Sequence, residues 1–289
     1  MPSLKIVDTQ NVAIGGRSDD FWRYKKHFTK AFLKLRKPQR SFPMALRDAN
    51  ILDQQKVLQY FDLQGFEYGN WLSNNHRYNF LIGCVVSLLD LQDLIGIKKL
   101  GFKKYSIAFG ARGRGGKGSA AAHFEPGRHA INLTKDYGLE SLAHEYGHLL
   151  DHFFGCYIDQ DKVNQYLSYG RLNAEALKNV NGLRKGSLRY LMNDLLSTIV
   201  FKNGTNGLVT DYYARLLKDS RSDYFTASTE IFARTFEQWV SYKLKQKGVV
   251  NVYLSQPKYE HWMYLSPALF KKALPKMNAL IKAMAAKAK

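Results

Sequence analysis

The stretch that most constrains the fold is His144-Glu145-Tyr146-Gly147-His148, set within Ser141-Leu142-Ala143-His144-Glu145-Tyr146-Gly147-His148-Leu149-Leu150-Asp151. On an α-helix, residues four apart share a face, so His144 and His148 stand one turn apart and can reach one metal ion. Glu145 follows the first histidine and falls beside that ion, where it can take a proton from a bound water. Leu142, Ala143, Leu149 and Leu150 give the helix apolar flanks for burial. The pattern predicts a helix holding Zn²⁺ as cofactor. A buried helix whose histidines are only hydrogen-bonded meets the same pattern, so the rest of the chain must separate the two.

A zinc hydrolase needs a third protein ligand and an open fourth position. His152 continues the stripe, but three ligands from one straight helix do not converge, so it is assigned to the surroundings. His123 and His129 precede the helix in an expected hairpin, and either could line the substrate cleft. The better candidate is Glu230, in Tyr224-Phe225-Thr226-Ala227-Ser228-Thr229-Glu230-Ile231-Phe232-Ala233-Arg234-Thr235-Phe236-Glu237. On a helix Glu230, Ala233, Arg234 and Glu237 share one face, and the small Ala233 lets that helix approach closely. Glu237, two turns on, is the rival ligand. An ordinary amphipathic helix with surface acids is the competing account. Asp151, one turn past His148, is either a charge at the helix end or a partner that fixes an imidazole tautomer.

Composition limits the setting. The chain has 289 residues, 45% of them hydrophobic and 13% aromatic, which suits a folded protein rather than a disordered one. Its net charge of +19 implies a nucleic acid, an acidic protein partner, or a basic surface with no partner. Cys84 and Cys156 form no C-x-x-C and read as free thiols, with Cys84 in the core. Met1 to Gln10 lacks an apolar signal region, and the apolar run Phe80–Leu89 is too short for a bilayer, so no membrane partner is expected.

Three regions are expected. Residues 1–58 form a basic, aromatic-rich accessory region. There Arg17, Arg23, Lys25, Lys26, Lys30, Lys34, Arg36, Lys37 and Arg40 alternate with Phe21, Trp22, Tyr24, Phe28 and Phe32. This reads as a basic helix ending before Pro38, which either docks its aromatics or grips phosphate. Residues 59–246 hold the catalytic domain. Its expected elements are a helix from Tyr78 to Leu94, a strand at Ser106–Phe109, and a hairpin turning at Pro126-Gly127. The metal helix is expected to end at Gly155, with further helices at 161–169, 173–180, 186–200, 208–219 and 227–246. The glycine-rich loop 110–118 lacks the lysine-serine or lysine-threonine pair of a P-loop. Its Arg112, Arg114 and Lys117 suit acidic substrate segments, and Arg112 joins His123 as a cleft candidate. The hairpin would offer an edge strand to an extended peptide. Residues 247–289 are a basic helical extension; between Trp239 and Lys289 stand ten lysines and one acid, Glu260. Ser266-Pro267 starts a helix there, Pro275 interrupts or restarts it, and Leu269, Leu274, Leu280, Ile281 and Met284 dock it. The fold class is α+β, mainly helical, with a small sheet or hairpin packed beside the H-E-x-x-H helix.

H-E-x-x-H followed by a helix of form Glu-Ile-Phe-Ala-x-x-Phe resembles the gluzincins, most closely the anthrax lethal factor type of catalytic core. That resemblance implies Glu230, not Glu237, as third ligand. It also implies a catalytic tyrosine shortly before the glutamate; Tyr224 matches, one residue closer than in the family. A wider resemblance, over about residues 60–245, is to the large polyvalent protein-associated domain, first-numbered kind, of phage and conjugative-element proteins. It rests on Phe66-Glu67-Tyr68-Gly69-Asn70-Trp71, Ala108 to Gly113, Ala122-His123-Phe124-Glu125-Pro126, Ile131-Asn132-Leu133-Thr134, Ser141 to Asp151, and Glu230 to Glu237. Phe124 stands where that family usually has tyrosine, and Tyr146 where it often has tryptophan; both keep an aromatic ring.

The resemblance implies a zincin-like zinc endopeptidase of a mobile element. His144, His148 and Glu230 hold the metal, Glu145 is the general base, and Tyr224 donates to the oxyanion. A protein or peptide substrate, non-specific nucleic-acid binding through the basic regions, and a place in the bacterial cytoplasm or a virion complete this expectation. The alternative is a catalytically idle zincin-fold protein that binds nucleic acid or partners through its basic surfaces. The intact Glu145 favours the enzyme, since a purely structural metal site has no need of it.

Overall fold

A computed structural model describes residues 34–48, 51–70, 72–111, 121–134, 138–159, 166–168, 183–203, 207–219, 223–256, 258–259 and 261–288. The aromatic arm before Lys34, Arg112 with its glycine-rich loop, and the helix expected at 173–180 lie outside the described residues. What is described is α+β and mainly helical, as the pattern implied. The chain divides into two compact units.

The first unit comprises residues up to 92, 98–142 and 248–254. β1 (Arg36–Lys37) pairs antiparallel with β8 (Val250–Asn251), and β2 (Arg47–Asp48) with β3 (Ile51–Leu52). α1 (Gln54–Phe61) starts on Asp53, whose carboxylate accepts the Lys56 amide at 3.0 Å. The main sheet holds β4 (Phe66–Tyr68), β5 (Ser106–Phe109), β6 (Ala122–Glu125) and β7 (Ala130–Leu133) in the order β4-β5-β7-β6. β4, β5 and β7 are parallel, and β6 closes one edge antiparallel to β7. Parallel strands need a crossover, and α2 (Asn74–Ile95) supplies it between β4 and β5. Phe109 carries the joint between helix and sheet. Phe66, Tyr68 and Phe80 stack on its ring at centroid distances of 5.8, 5.4 and 5.7 Å.

Two expectations about this unit need revision. α2 is longer than the apolar run inside it and has the length and hydropathy of a bilayer span, but 83% of that window is buried, as in a core helix. The basic segment before Pro38 is not helical where described: Arg36 and Lys37 form β1. The cause is Asp90, which is almost fully buried. It takes Arg36 Nε at 2.7 Å, Arg40 Nη1 at 3.0 Å and Asn251 Nδ2 at 2.9 Å. A buried carboxylate is stable only when paired and hydrogen-bonded, so these two arginines are committed to the core and not to phosphate.

The second unit comprises 93–97, 143–247 and 255–289. Its helices are α3 (Leu142–Phe153), α4 (Leu188–Val200), α5 (Asp211–Asp219), α6 (Ser228–Gln246) and α7 (Pro267–Lys287). Ser187 caps α4 by accepting the Tyr190 amide at 3.1 Å, and Ser266 caps α7 through Leu269. α6 is central: Glu230 to Glu237 are all buried, followed by Trp239, Val240 and Leu244. It is therefore not a surface helix. α7 packs against α4 and α6 through Phe270, Ala273, Met277, Leu280, Ile281 and Met284, a 3–4 residue spacing. Trp239 Nε1 donates to Asn278 Oδ1 at 2.9 Å. Pro275 does not interrupt α7. Its ring and Lys271, whose carbonyl it leaves unbonded, are exposed, so water can satisfy that carbonyl while the apolar face holds both halves.

Beyond α3 the backbone widens into a π-helical turn, Phe154–Ile158. Gly155 lies inside this turn and does not cap the helix. A Cβ there would collide with the backbone of Tyr166 and Leu167, so glycine is required for that segment to approach. Of the helix expected at 161–169, residues 166–168 are described, and they form a turn. Leu167 N donates to the Asp151 carbonyl at 3.0 Å. Both cysteines are free, and Cys84 is buried as expected.

Candidate metal centre

The second unit alone assembles the site. α3 presents His144 and His148 one turn apart, with ring centroids 4.9 Å from each other and planes at 77°. α6 brings Glu230 against both: Oε1 lies 3.1 Å from His148 Nε2, and Oε2 lies 3.5 Å from His144 Nε2. Small residues permit this approach. A Cβ added to Gly147 would lie 3.0 Å from the Ala233 Cα and 3.4 Å from its Cβ, tighter than ordinary side-chain contact. Ligand atoms of His144, His148 and Glu230 all lie within 4.8 Å of one another, the described group of three that could hold a metal.

The donor set fits zinc. Two imidazole nitrogens and a carboxylate are the ligands of a catalytic site. Ligands at about 2.1 Å from a tetrahedral ion stand roughly 3.4 Å apart, close to the separations from Glu230 to each imidazole. Without metal, protons take its place. Burial works to lower the His144 pKa, but hydrogen bonds to Glu230 and Glu237 and the nearby Glu145 charge outweigh it and raise the value to about 10. Burial alone would raise Glu230, yet hydrogen bonds to His144 and His148 hold its carboxyl far below the usual range. The site is thus built to keep Glu230 ionised.

Glu145 is buried on α3 next to His144, and its charge acts on both His144 and Tyr224. Tyr224 sits in the turn before α6, with its hydroxyl in hydrogen-bonding range of Glu230. Burial and the Glu230 and Glu145 carboxylates push its pKa above the ordinary tyrosine value, although about half of the residue is exposed. The turn is held from α6. Arg234 Nη2 donates to the Phe225 carbonyl at 2.5 Å, and the guanidinium lies 5.5 Å from the Phe225 ring centroid.

Asp151 and Glu237 meet different partners. Asp151 is fully buried, but its oxygens take the Ser168 amide at 2.7 Å and the Ser168 hydroxyl at 2.5 Å, tying down the turn after α3. Glu237, the rival ligand, instead faces the far side of His144, with Oε2 3.4 Å from Nδ1. Tyr259 and Tyr264, which no pattern flagged, donate to Glu237 at 3.1 and 3.2 Å. A signal existed for Glu237, since it shares a helical face with Glu230; none existed for the tyrosines. His152 packs against Tyr157 and Tyr166. His123 belongs to the first unit, on β6, with Nε2 2.9 Å from Glu125 Oε1, and His129 sits in the turn of that hairpin.

Residues 216–288, about a quarter of the chain, match the family described as large polyvalent protein-associated domain 1. The match takes in Tyr224, Glu230, Glu237 and the whole of α7, and stops short of α3. No curated protein and no solved structure matches the chain.

Proposed function

We propose that this chain is a zinc-dependent endopeptidase of zincin-like fold, carried by a phage or another mobile element. The observation that supports it is the convergence of His144, His148 and Glu230 with Glu145 beside them. The match of residues 216–288 to a polyvalent protein-associated family supports the mobile-element setting, and with it the bacterial cytoplasm or a virion as location. When bound, Zn²⁺ supplies Lewis acidity to the peptide carbonyl and to the attacking water.

The chain's own residues do the rest. His144, His148 and Glu230 would hold the ion, and in its absence hydrogen bonds from the two imidazoles keep Glu230 in its charged form. Glu145, a carboxylate outside the ligand set, takes the proton of the attacking water and passes it to the leaving amine. Tyr224 donates to the developing oxyanion; its raised pKa keeps the proton in place at neutral pH.

The test is protein purified without chelator. About one zinc per chain is expected, with hydrolysis of a peptide library that Glu145→Gln abolishes while fold and zinc content stay. Metal-free protein, or equal turnover by the variant, overturns the proposal.

A second reading rests on α7. Lys271, Lys272, Lys282 and Lys287 are exposed, and the helix contains no acidic residue. Such a face suits a polyphosphate backbone, with or without catalysis at the metal centre.

A further inference from the structure

Resting on the metal-centre reading, we infer that Glu237, braced by Tyr259 and Tyr264, is the positioning residue that makes His144 a metal ligand. Tyr259 and Tyr264 then belong to the metal centre, although they lie outside the motif residues.

The His144 ring is clamped between two carboxylates of one helix. Glu230 Oε2 stands 3.5 Å from Nε2, and Glu237 Oε2 stands 3.4 Å from Nδ1. An imidazole that offers Nε2 to a metal keeps its proton on Nδ1, and that N–H needs an acceptor to fix the tautomer and the ring plane. Glu237 supplies it. Its seven-residue spacing from Glu230 brings it back to the same face of α6, two turns along.

The support for Glu237 is itself built. The Glu237 side chain is 3% exposed, so its oxygens need donors within the protein. Tyr259 Oη donates to Oε1 at 3.1 Å and Tyr264 Oη to Oε2 at 3.2 Å, with the two rings edge to face at 4.6 Å. Burial and the Glu237 charge hold both phenols well above the ordinary tyrosine pKa, so they remain donors. α6 also fixes the segment that carries them. Gln238 Nε2 donates to the Leu265 carbonyl at 2.9 Å and Gln238 Oε1 accepts the Leu265 amide at 3.2 Å, while Ser241 Oγ donates to the Gln256 carbonyl at 2.8 Å. A carboxylate serving only packing would not need three donors converging on it from two sides.

The experiment compares wild type, Glu237→Ala, Glu237→Gln and the double Tyr259→Phe/Tyr264→Phe variant, each checked for helical content by circular dichroism. Zinc affinity is read by competition with a chromophoric chelator. The His144 Nδ1–H is read by NMR of protein carrying ¹⁵N-labelled histidine, with zinc bound. Removal of such a partner costs about 10- to 100-fold in metal affinity elsewhere. That loss is expected for Glu237→Ala, with a smaller loss for the double phenylalanine variant and a faster-exchanging Nδ1 proton in both. If Glu237→Ala fails to fold, Glu237→Gln and the double variant decide. Unchanged affinity and an unchanged His144 proton signal in the folded variants overturn the inference and leave the metal centre standing. A wild-type protein that takes up no zinc overturns both together.

Discussion

Gly147 on α3 faces Ala233 on α6 so closely that a Cβ on the glycine would lie 3.0 Å from the Ala233 Cα and 3.3 Å from the Phe236 ring. Each helix carries part of the ligand set on the turns beside this contact. The spacing of the two backbones therefore sets the distance from Glu230 to the imidazoles. Ala233→Val inserts volume where there is none. The expected result is a stability loss of about 1–3 kcal/mol and weaker zinc binding from a protein that still folds. Thermal denaturation and a zinc titration check it. Full zinc affinity in the variant would mean that helix spacing does not control the site.

Zinc held as proposed would compete with protons at His144. Its folded pKa, about 10, lies above the ordinary histidine value, because hydrogen bonds to Glu230 and Glu237 overcome burial. In the metal-free protein the charged histidine thus contributes stability that is fully present below about pH 6.5 and is lost as pH rises through about 10. A metal needs the neutral ring. Zinc affinity is expected to climb as pH rises toward 10, and binding near neutral pH to release a proton from His144. Calorimetry in buffers of different ionisation enthalpy measures that release. Binding with no pH dependence would contradict it.

Asp90 holds the first unit together by charge. Asp90→Ala leaves Arg36 and Arg40 facing a hole where their carboxylate stood. The expected cost is about 3–5 kcal/mol, since Arg36 is mostly buried and cannot regain its water. Urea denaturation reads it. A cost below 1 kcal/mol would show that the arginines turn outward freely.

The exposed lysines of α7 give the charge a place. Replacing Lys271, Lys272, Lys282 and Lys287 with glutamine is expected to weaken binding to duplex DNA at low salt. If all four contact phosphates, the salt dependence flattens by about 3–4 units of slope. Filter binding at several salt concentrations tests this. Equal affinity and slope in wild type and variant would leave these lysines as solvated charge.

The helix of His144 and His148 and the helix of Glu230 were legible because their signals are local. An i,i+4 histidine pair and a small residue on a carboxylate face need nothing from elsewhere in the chain. The β6–β7 hairpin and the Ser266 cap were legible for the same reason. The contact of Glu237 with His144 Nδ1 was not, because it depends on which edge of one imidazole each carboxylate meets. The Ser168 contact of Asp151 was not legible, because Ser168 lies in a stretch whose composition suggested helix. Arg36 looked like part of a basic arm because Asp90 and β8 are remote in sequence. Pro275 looked like a break because its exposure follows from how α7 packs, not from its neighbours.

Roughly eighty residues separate His148 from Glu230, and α4, α5 and segments outside the description run between them. An ion shared by α3 and α6 would therefore be a cross-link that closes a long loop. Loop-closure entropy grows with the logarithm of loop length, so a clip across so many residues restricts the unfolded chain more than one within a single helix. A fragment beginning at residue 216, where the family match starts, would contain two carboxylates of the site and neither histidine. For such a fragment the loop has no second end, and the ligand set exists only in a chain that reaches back to α3.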